Sequence, residues 1–600
     1  MLSHLRDLRA GRLRAKLKNL PQLSAAVTAQ GDILGELYIE RRLCVSHGSV
    51  APSLIAAVLR AEDKRFFQHH GIDWIAVSRA TWRNLRSRAL VQGGSTITQQ
   101  LARSVILRDR RKTLRRKIAE AIVAATIDRA ASKLDILESY LNASYFGHGV
   151  FGVRLAALTT FGKEPSSLNV HESAYLAGLL QAPQRHCLCC NPVSAISRTR
   201  KVLALMGRKN NLTPNATEPI SAPKPSARFT RRRSFAEAYP STAPYFLDWV
   251  KQWLLQNVGG HFPARRLIVT TTLTPSAQTA VELACDEVWQ RGFRGRLACI
   301  VQASGSGAVL AVAGGPRHSE MPFNCVTHAR LQPGSLIKPF ILAAAIEAGI
   351  QPERLFNSAP LEITQANGVI WRVRNFAEVY RGSITLSEAL VHSDNSVYVQ
   401  LALELGMRPL SHILRRVGLN PPHLTPAIAT GAIAPGLSPL TLADAYGVFT
   451  SGGLLYTGTP VLRVMTEHGD NLLDDTSGPR FALAPHVVEK INTILRDVPL
   501  RGTGTFNSPL PGLCAKTGTT TAGAWYASYD HSLRVLTWVD SSSPTPPRSW
   551  TKALTAVSLA ERIWGLLRRS HLDSSHLHGV MRGVGRFSVK DLLWTETHFT

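Results

Sequence analysis

The stretch Arg330-Leu331-Gln332-Pro333-Gly334-Ser335-Leu336-Ile337-Lys338-Pro339-Phe340 decides how the second half of the chain must fold. Pro333-Gly334 is turn-forming, and the apolar run from Phe340 to Ala345 has helical character, so Ser335 stands at a helix start. Backbone N–H groups and the helix dipole there favour a developing oxyanion. Lys338 follows one turn later on the same face. A serine hydroxyl attacks poorly until a neighbour takes its proton, and a lysine can do that only when burial or another cation lowers its pKa.

Two later strings supply the remaining parts. Ser393 and Asn395 of Ser393-Asp394-Asn395 sit two apart, so an extended or turn geometry points both to one side. The hydroxyl can relay a proton to a leaving amine, and the amide can orient substrate or Lys338. Lys516-Thr517-Gly518-Thr519 lies between Leu513-Cys514-Ala515 and Ala524-Trp525-Tyr526, which reads as an edge strand. A peptide can add to such an edge. Lys516 is the candidate second cation, Thr517 and Gly518 would meet the substrate, and the Thr519 N–H is a candidate oxyanion donor. The three strings in this order resemble the transpeptidase domain of penicillin-binding proteins, a motif set shared with β-lactamases. Gly502-Thr503-Gly504, Ser438-Pro439-Leu440 and Ala443-Asp444-Ala445-Tyr446 extend the resemblance over residues 266–565. It implies an α+β, β-lactamase-like fold, an acyl-enzyme on Ser335, and catalytic roles for Lys338, Ser393, Asn395 and Lys516. The family's longer, acid-bearing loop after the Lys-Thr-Gly strand is here the short, uncharged Thr520–Ala524. The glutamate with which β-lactamases activate water has no counterpart between Leu405 and Thr466, which contains no Glu.

The first third carries a second set: Glu62-Asp63-Lys64-Arg65-Phe66-Phe67-Gln68-His69-His70-Gly71, Gly93-Gly94-Ser95-Thr96-Ile97-Thr98-Gln99-Gln100, and Arg116-Lys117-Ile118-Ala119-Glu120. Ile136–Asn142, Phe146-Gly147-His148-Gly149 and Leu176–Pro183 complete it. These segments resemble the glycosyltransferase module of class A penicillin-binding proteins, which implies an α-rich, lysozyme-like fold that polymerises lipid II. Breaking a glycosyl–diphosphate bond needs a base for the incoming hydroxyl and cations for the departing diphosphate. Glu62 is the expected base, with Glu120 positioning or assisting. Arg103, Arg116 and Lys117 are the expected cations, a reading favoured over a merely solvated helical face for the basic run 108–117. Asp63, Ser95, Thr96, Gln99, Gln100 and Asn142 are expected to bind substrate. Arg103 stands where the family has lysine, and Gln184-Arg185-His186 with the cysteine cluster stands where it tends towards Ser-x-Tyr-Asn-Pro. His69 and His70 read as structural loop residues.

Composition sets the bounds. The chain has 600 residues, 44% apolar and 18% charged, enough for several packed cores, and a formal charge of +28. That charge points to an anionic membrane surface, since no zinc-finger spacing or RNA-binding string supports nucleic acid. Six Lys/Arg interleaved with leucines in residues 1–20 read as a basic amphipathic helix able to lie on a bilayer, or as a solvated tail. No signal peptide and no run of about 18 apolar residues is visible. The eight cysteines make no disulfide scaffold. Cys187-Leu188-Cys189-Cys190 lacks a second ligand pair at zinc spacing, so loop packing and no metal site are expected.

The resulting reading is a multidomain, bifunctional peptidoglycan synthase. Its segments are a basic N-terminal segment 1–29, a glycosyltransferase domain 30–205, a linker 206–265, a transpeptidase domain 266–565 and a tail 566–600. By resemblance it requires no cofactor, with a divalent cation (Mg or Mn) as an optional aid to diphosphate departure. Its partners are lipid II, nascent peptidoglycan and β-lactams as inhibitors. The family places it on the cytoplasmic membrane with its catalytic domains outside. The rivals are a catalytically degenerate cell-wall-binding scaffold and a D,D-carboxypeptidase or β-lactamase-like hydrolase.

Overall fold

The computed structural model describes residues 10–87, 94–109, 111, 113–207, 243–259, 262–364, 368–474, 478–508, 510–540 and 552–570. The N-terminal unit is a helical cluster around buried Leu54, Ile97, Ala124, Tyr140, Tyr175 and Val202. Helices Pro52–Glu62, Val170–Leu179 and Pro192–Gly207 pack on one another, and Leu114–Ala130 and Lys133–Ala143 close the other side. Capping fixes several helix starts. Ser132 and Asp135, and likewise Asn169 and Glu172, form reciprocal capping boxes.

The C-terminal unit is built on an antiparallel sheet in the order Cys514–Thr519, Gly523–Tyr529, Leu533–Asp540, Leu297–Ala303, Val309–Ala313. Strand periodicity sorts its side chains. Trp525, Ala527 and Tyr529 enter the core shared with helices Lys338–Glu347 and Pro439–Thr450. Ala524 and Tyr526 face helices Pro275–Gln290 and Lys552–Arg569 instead. Cys514–Thr519 lies at the sheet edge, beside the turn that carries Ser335.

Three expectations about organisation need correction. Helix Ala10–Lys18 does not present its leucines to a bilayer: Leu13, Leu17 and Leu20 are buried in the glycosyltransferase core. Burying each leucine contributes roughly 1.5–3 kcal/mol, enough to dock a helix too short to persist alone. Residues 1–9, with Leu2 and Leu5, lie outside the described residues. The boundary near 30 is crossed by a five-stranded sheet in the order Asn471–Asp474, Val461–Thr466, Leu267–Thr271, Ser24–Val27, Ile33–Leu37. Ser24–Val27 runs parallel to Leu267–Thr271, and Ala26, Leu34 and Leu37 enter the C-terminal unit's core. Lastly, the segment 206–265 is not all linker. Pro244–Asn257 is a helix whose Tyr245, Phe246, Trp249 and Val250 are buried in that same core. The rest of the expected linker from 208 to 242, which includes the basic Arg231-Arg232-Arg233, and the tail beyond 570 lie outside the described residues.

Candidate active sites

Helix Pro52–Glu62 ends at Glu62, whose Oε2 accepts the side-chain N–H of Gln100 at 2.9 Å. The Tyr140 hydroxyl donates to the other end of that amide at 3.2 Å. Burial pushes the Glu62 carboxyl above the usual carboxylate range; the Gln100 hydrogen bond and the Arg198 and Arg103 charges pull it partly back. A carboxylate raised towards neutrality is the better proton acceptor. Arg198 is a neighbour that no sequence pattern pointed to. It is brought from helix Pro192–Gly207 by packing, and its Nε is buried without a hydrogen-bond partner.

Glu120 is buried, and both its oxygens are committed to cations. Arg116 donates to Oε1, and Lys117 Nζ donates to Oε2 at 2.9 Å. Lys117 also donates to Ser95 Oγ at 2.7 Å. Burial, then the Arg103 and Arg116 charges, lowers the Lys117 pKa. Arg103 sits in the π-helical turn Ala102–Leu107, a distortion often found at functional sites. Glu120 therefore positions cations, and Arg103, Arg116 and Lys117 form one basic surround.

Four expected substrate contacts are turned inward instead. Thr96 and Gln99 are buried as the two halves of a capping box on helix Ile97–Leu101, and the Thr96 hydroxyl donates to Gly71 O. The spacing Thr96-Ile97-Thr98-Gln99 is a capping-box signature in itself. Asp63 accepts from His69 Nε2 at 3.0 Å and from the Ile97 N–H at 3.0 Å, tying the 63–71 loop to that helix. His70 lies 3.5 Å from Asp128. The Asn142 amide pairs with both backbone groups of Val45 at 2.9 Å. Each is held to the fold by these bonds.

In the C-terminal unit, Ser335 lies on the single-turn helix Gly334–Ile337, which leads into Lys338–Glu347. Lys338 Nζ donates to Ser335 Oγ (3.0 Å), Ser393 O (2.6 Å) and Asn395 Oδ1 (2.7 Å). Lys516 Nζ donates to Ser393 Oγ at 2.8 Å and Thr517 O at 3.0 Å. Both lysines are wholly buried. Burial pushes Lys516 down to about 7. Burial first, and the Lys516 charge second, push Lys338 well below the usual lysine range, with Asp394 opposing. Ser393 is in the left-handed region (φ 59), which costs about 1–3 kcal/mol and directs its hydroxyl to one lysine and its carbonyl to the other.

That strain is held through Asp394 by two residues outside the sequence strings, Ser358 and Asn375. Asp394 caps helix Asn395–Leu405 and accepts from Ser358 Oγ (2.6 Å) and Asn375 Nδ2 (2.7 Å). Asn375 Oδ1 takes the N–H groups of Asn395 and Ser396. The nucleophile turn is braced from outside by Trp525, donating to Gln332 O, and Tyr446, donating to Leu336 O, both at 2.8 Å. Thr517 bonds Thr503 of the Gly502-Thr503-Gly504 string, and Thr519 is exposed at the strand end. Gly518 corrects an expectation. The group that needs its missing side chain is the nucleophile turn, since a Cβ there would lie 2.7 Å from Pro333 O.

Comparison with known proteins agrees with this geometry. Residues 30–207 match the family model described as transglycosylase, and residues 297–545 match the penicillin binding protein transpeptidase domain. Penicillin-binding protein 2D of Bacillus subtilis is 30% identical over 567 residues, covering 91% of this chain and 80% of that protein. Penicillin-binding protein 1A of Aquifex aeolicus is 29% identical, covering 86% of this chain and 82% of that protein. The crystal structure of penicillin-binding protein 1A from Haemophilus influenzae shares the fold, with a TM-score of 0.66 at 20% identity over 92% of this chain and 93% of that one. This chain thus belongs to the class A penicillin-binding proteins, bifunctional enzymes that join a peptidoglycan glycosyltransferase to a serine transpeptidase.

Proposed function

We propose that cross-linking runs through Ser335 with neutral Lys338 as its base. The Ser335 proton passes to Lys338 Nζ as Oγ attacks the carbonyl of the penultimate D-alanine. Collapse of the tetrahedral adduct breaks the C–N bond. Ser393 hands a proton to the departing D-alanine amine and is reprotonated at the expense of Lys338, which becomes neutral again, while charged Lys516 holds the substrate carboxylate. An amine of a neighbouring stem peptide then attacks the ester, its proton passes through Lys338 to Ser335 Oγ, and the ester C–O bond breaks to release the cross-linked product. The N–H groups of Ser335 and Thr519 face the developing oxyanion. The observation that carries this reading is the convergence of both wholly buried lysines on Ser393, Lys338 through its carbonyl and Lys516 through its hydroxyl, while Lys338 also contacts Ser335 Oγ. Intact mass after benzylpenicillin tests it. One long-lived adduct that disappears in Ser335→Ala supports it; rapid decay of the adduct favours the hydrolase, and no adduct favours the degenerate scaffold.

Polymerisation of lipid II is assigned to Glu62, which takes the proton of the incoming sugar hydroxyl. Arg103, Arg116 and Lys117, held by Glu120, stabilise the departing diphosphate. Ser95 and Gln100 stand beside these groups with polar atoms at the site. Among the described residues, Glu120 is committed to Arg116 and Lys117 and Glu62 to Gln100. With both Glu120 oxygens on cations, Glu62 Oε1 is the one oxygen of this carboxylate pair left beside Arg103, Arg116 and Lys117, a donor set that does not fit an Mg or Mn ion. Glu62→Gln is expected to lower lipid II polymerisation by about 10²–10⁴-fold while Ser335 acylation is unchanged.

Membrane contact is assigned to the glycosyltransferase surface. Trp74, Ile75 and Trp82 are exposed on helix Trp74–Ser87, and Leu114, Ile118 and Ile122 form an exposed i, i+4 stripe on Leu114–Ala130, beside Arg108 and Arg115. Aromatic and basic residues together suit an anionic bilayer interface. Among the described residues no helix is long and apolar enough to cross a membrane. Work at the outer face of the cytoplasmic membrane is the placement that the lipid-linked substrate favours.

A further inference from the structure

We propose that His148, Cys187, Cys189 and Cys190 form a Cys3His site for a zinc-class divalent cation, built into the end of the glycosyltransferase domain. The cysteines alone lack a second ligand pair; the fold supplies the fourth donor from a segment 39 residues upstream of Cys187. His148 Nε2 lies 3.1 Å from Cys187 Sγ, 3.3 Å from Cys189 Sγ and 3.8 Å from Cys190 Sγ. The Cys187 and Cys189 sulfurs are 2.7 Å apart, the Cys189 and Cys190 sulfurs 3.5 Å, and all four donor atoms fall within 4.8 Å of one another. Zinc–sulfur and zinc–nitrogen bonds of about 2.3 and 2.0 Å put the edges of a tetrahedral site at roughly 3.5–3.8 Å. The observed separations bracket those edges, so a central cation requires shifts of about an ångström or less.

The backbone is arranged to bring these donors together. His148 sits between strands Tyr145–Gly147 and Val150–Phe151 in the left-handed region (φ 50), with Gly147 and Gly149 also at positive φ. A histidine in that region is strained and persists where its surroundings impose it. Gly147 packs on Pro183, which sets the turn against the cysteine loop. That loop is wound tight: the N–H groups of Cys190 and Asn191 both point to Cys187 O, and the Leu188 N–H donates to the Tyr175 hydroxyl. Cys187 is buried while Cys189 and Cys190 reach the surface, so a cation has a route in.

Three soft sulfurs and one imidazole are a structural zinc donor set. Binding forms three metal–sulfur bonds and one metal–nitrogen bond and releases the three thiol protons to solvent. Of the rival disulfides, Cys189–Cys190 would join neighbours whose Cα atoms are about 3.8 Å apart, short of the usual separation, and Cys187–Cys189 would leave Cys190 a lone thiol beside His148. The loop runs directly into helix Pro192–Gly207, which places Arg198 beside Glu62. The cation would thus fasten the start of the helix that carries that charge.

The test is a cobalt titration of the reduced, chelator-treated full chain. One equivalent of Co2+ is expected to give tetrahedral d–d bands and a thiolate charge-transfer band, with release of three protons. The double variant Cys189→Ser/Cys190→Ser is expected to lose those bands while acylation at Ser335 stays unchanged. Metal analysis of the protein as purified should find one zinc per chain, and its removal should lower the melting temperature of the glycosyltransferase domain. The proposal is overturned if the folded, reduced wild type gives no cobalt bands, or if the bands survive in the double variant. It is equally overturned if non-reducing peptide mapping finds these cysteines bonded to one another and no zinc is present.

Discussion

A Cβ on Gly518 would lie 2.7 Å from Pro333 O and 3.1 Å from Leu336 Cγ, while Gly334, at positive φ, faces Thr519 from the other side. The edge strand and the nucleophile turn touch through two missing side chains, so their spacing is set by backbone. Gly518→Ala is expected to displace Ser335 and slow acylation by fluorescent penicillin on the order of 100-fold, with the fold retained. The lysine pair has a pH consequence. Lys338 works once its proton has left, and Lys516 holds a carboxylate only while charged, so acylation should rise with pH and fall again as Lys516 loses its proton near 7. The limbs belong to the coupled pair. Because the Lys516 charge lowers Lys338, Lys516→Ala should lower the rate and also move the rising limb to higher pH, as read from residual acylation against pH.

At the scale of elements, amphipathic helices are ambiguous until something packs on them. Helix Ala10–Lys18 and helix Leu114–Ala130 both carry basic residues among apolar ones. The first buries Leu13 and Leu17 in protein, while the second leaves Leu114, Ile118 and Ile122 exposed. Leu17→Ala should therefore cost about 2–5 kcal/mol of glycosyltransferase stability in denaturant melts without changing sedimentation with anionic vesicles. Trp74→Ala/Trp82→Ala should do the opposite, weakening vesicle binding with little loss of stability. Capping chemistry shows the same ambiguity. Thr96 and Gln99 look like a polar substrate-binding string, yet their spacing serves the helix start, and only Gln100 beside them turns to Glu62.

At the scale of the molecule, the two catalytic units share a sheet. Ser24–Val27 hydrogen-bonds Leu267–Thr271, and the Leu267 N–H donates to Ser24 Oγ at 3.0 Å. A fragment beginning at Pro244 would leave Leu267–Thr271 as an unpaired edge and uncover the apolar surface under Ala26, Leu34 and Leu37. Such a fragment is expected to unfold at lower denaturant than the same region in the full chain, measured by loss of penicillin acylation.

The chemistry-bearing strings were legible because each is local. Ser335 to Lys338 is one helical turn, Ser393 to Asn395 one tight turn, Lys516 to Thr519 one strand, and Glu62 closes one helix. Short-range geometry follows from spacing, and three such strings in order identify a fold. What the spacing left open was decided by tertiary packing. The Arg198 charge bears on Glu62, Asn375 fastens the strained Ser393 turn, Ser24–Val27 crosses into the second unit, and His148 meets three cysteines. Each joins segments far apart in the chain. Local pattern states which polar groups a segment carries, but which of them remain for chemistry depends on how many the fold has already paired.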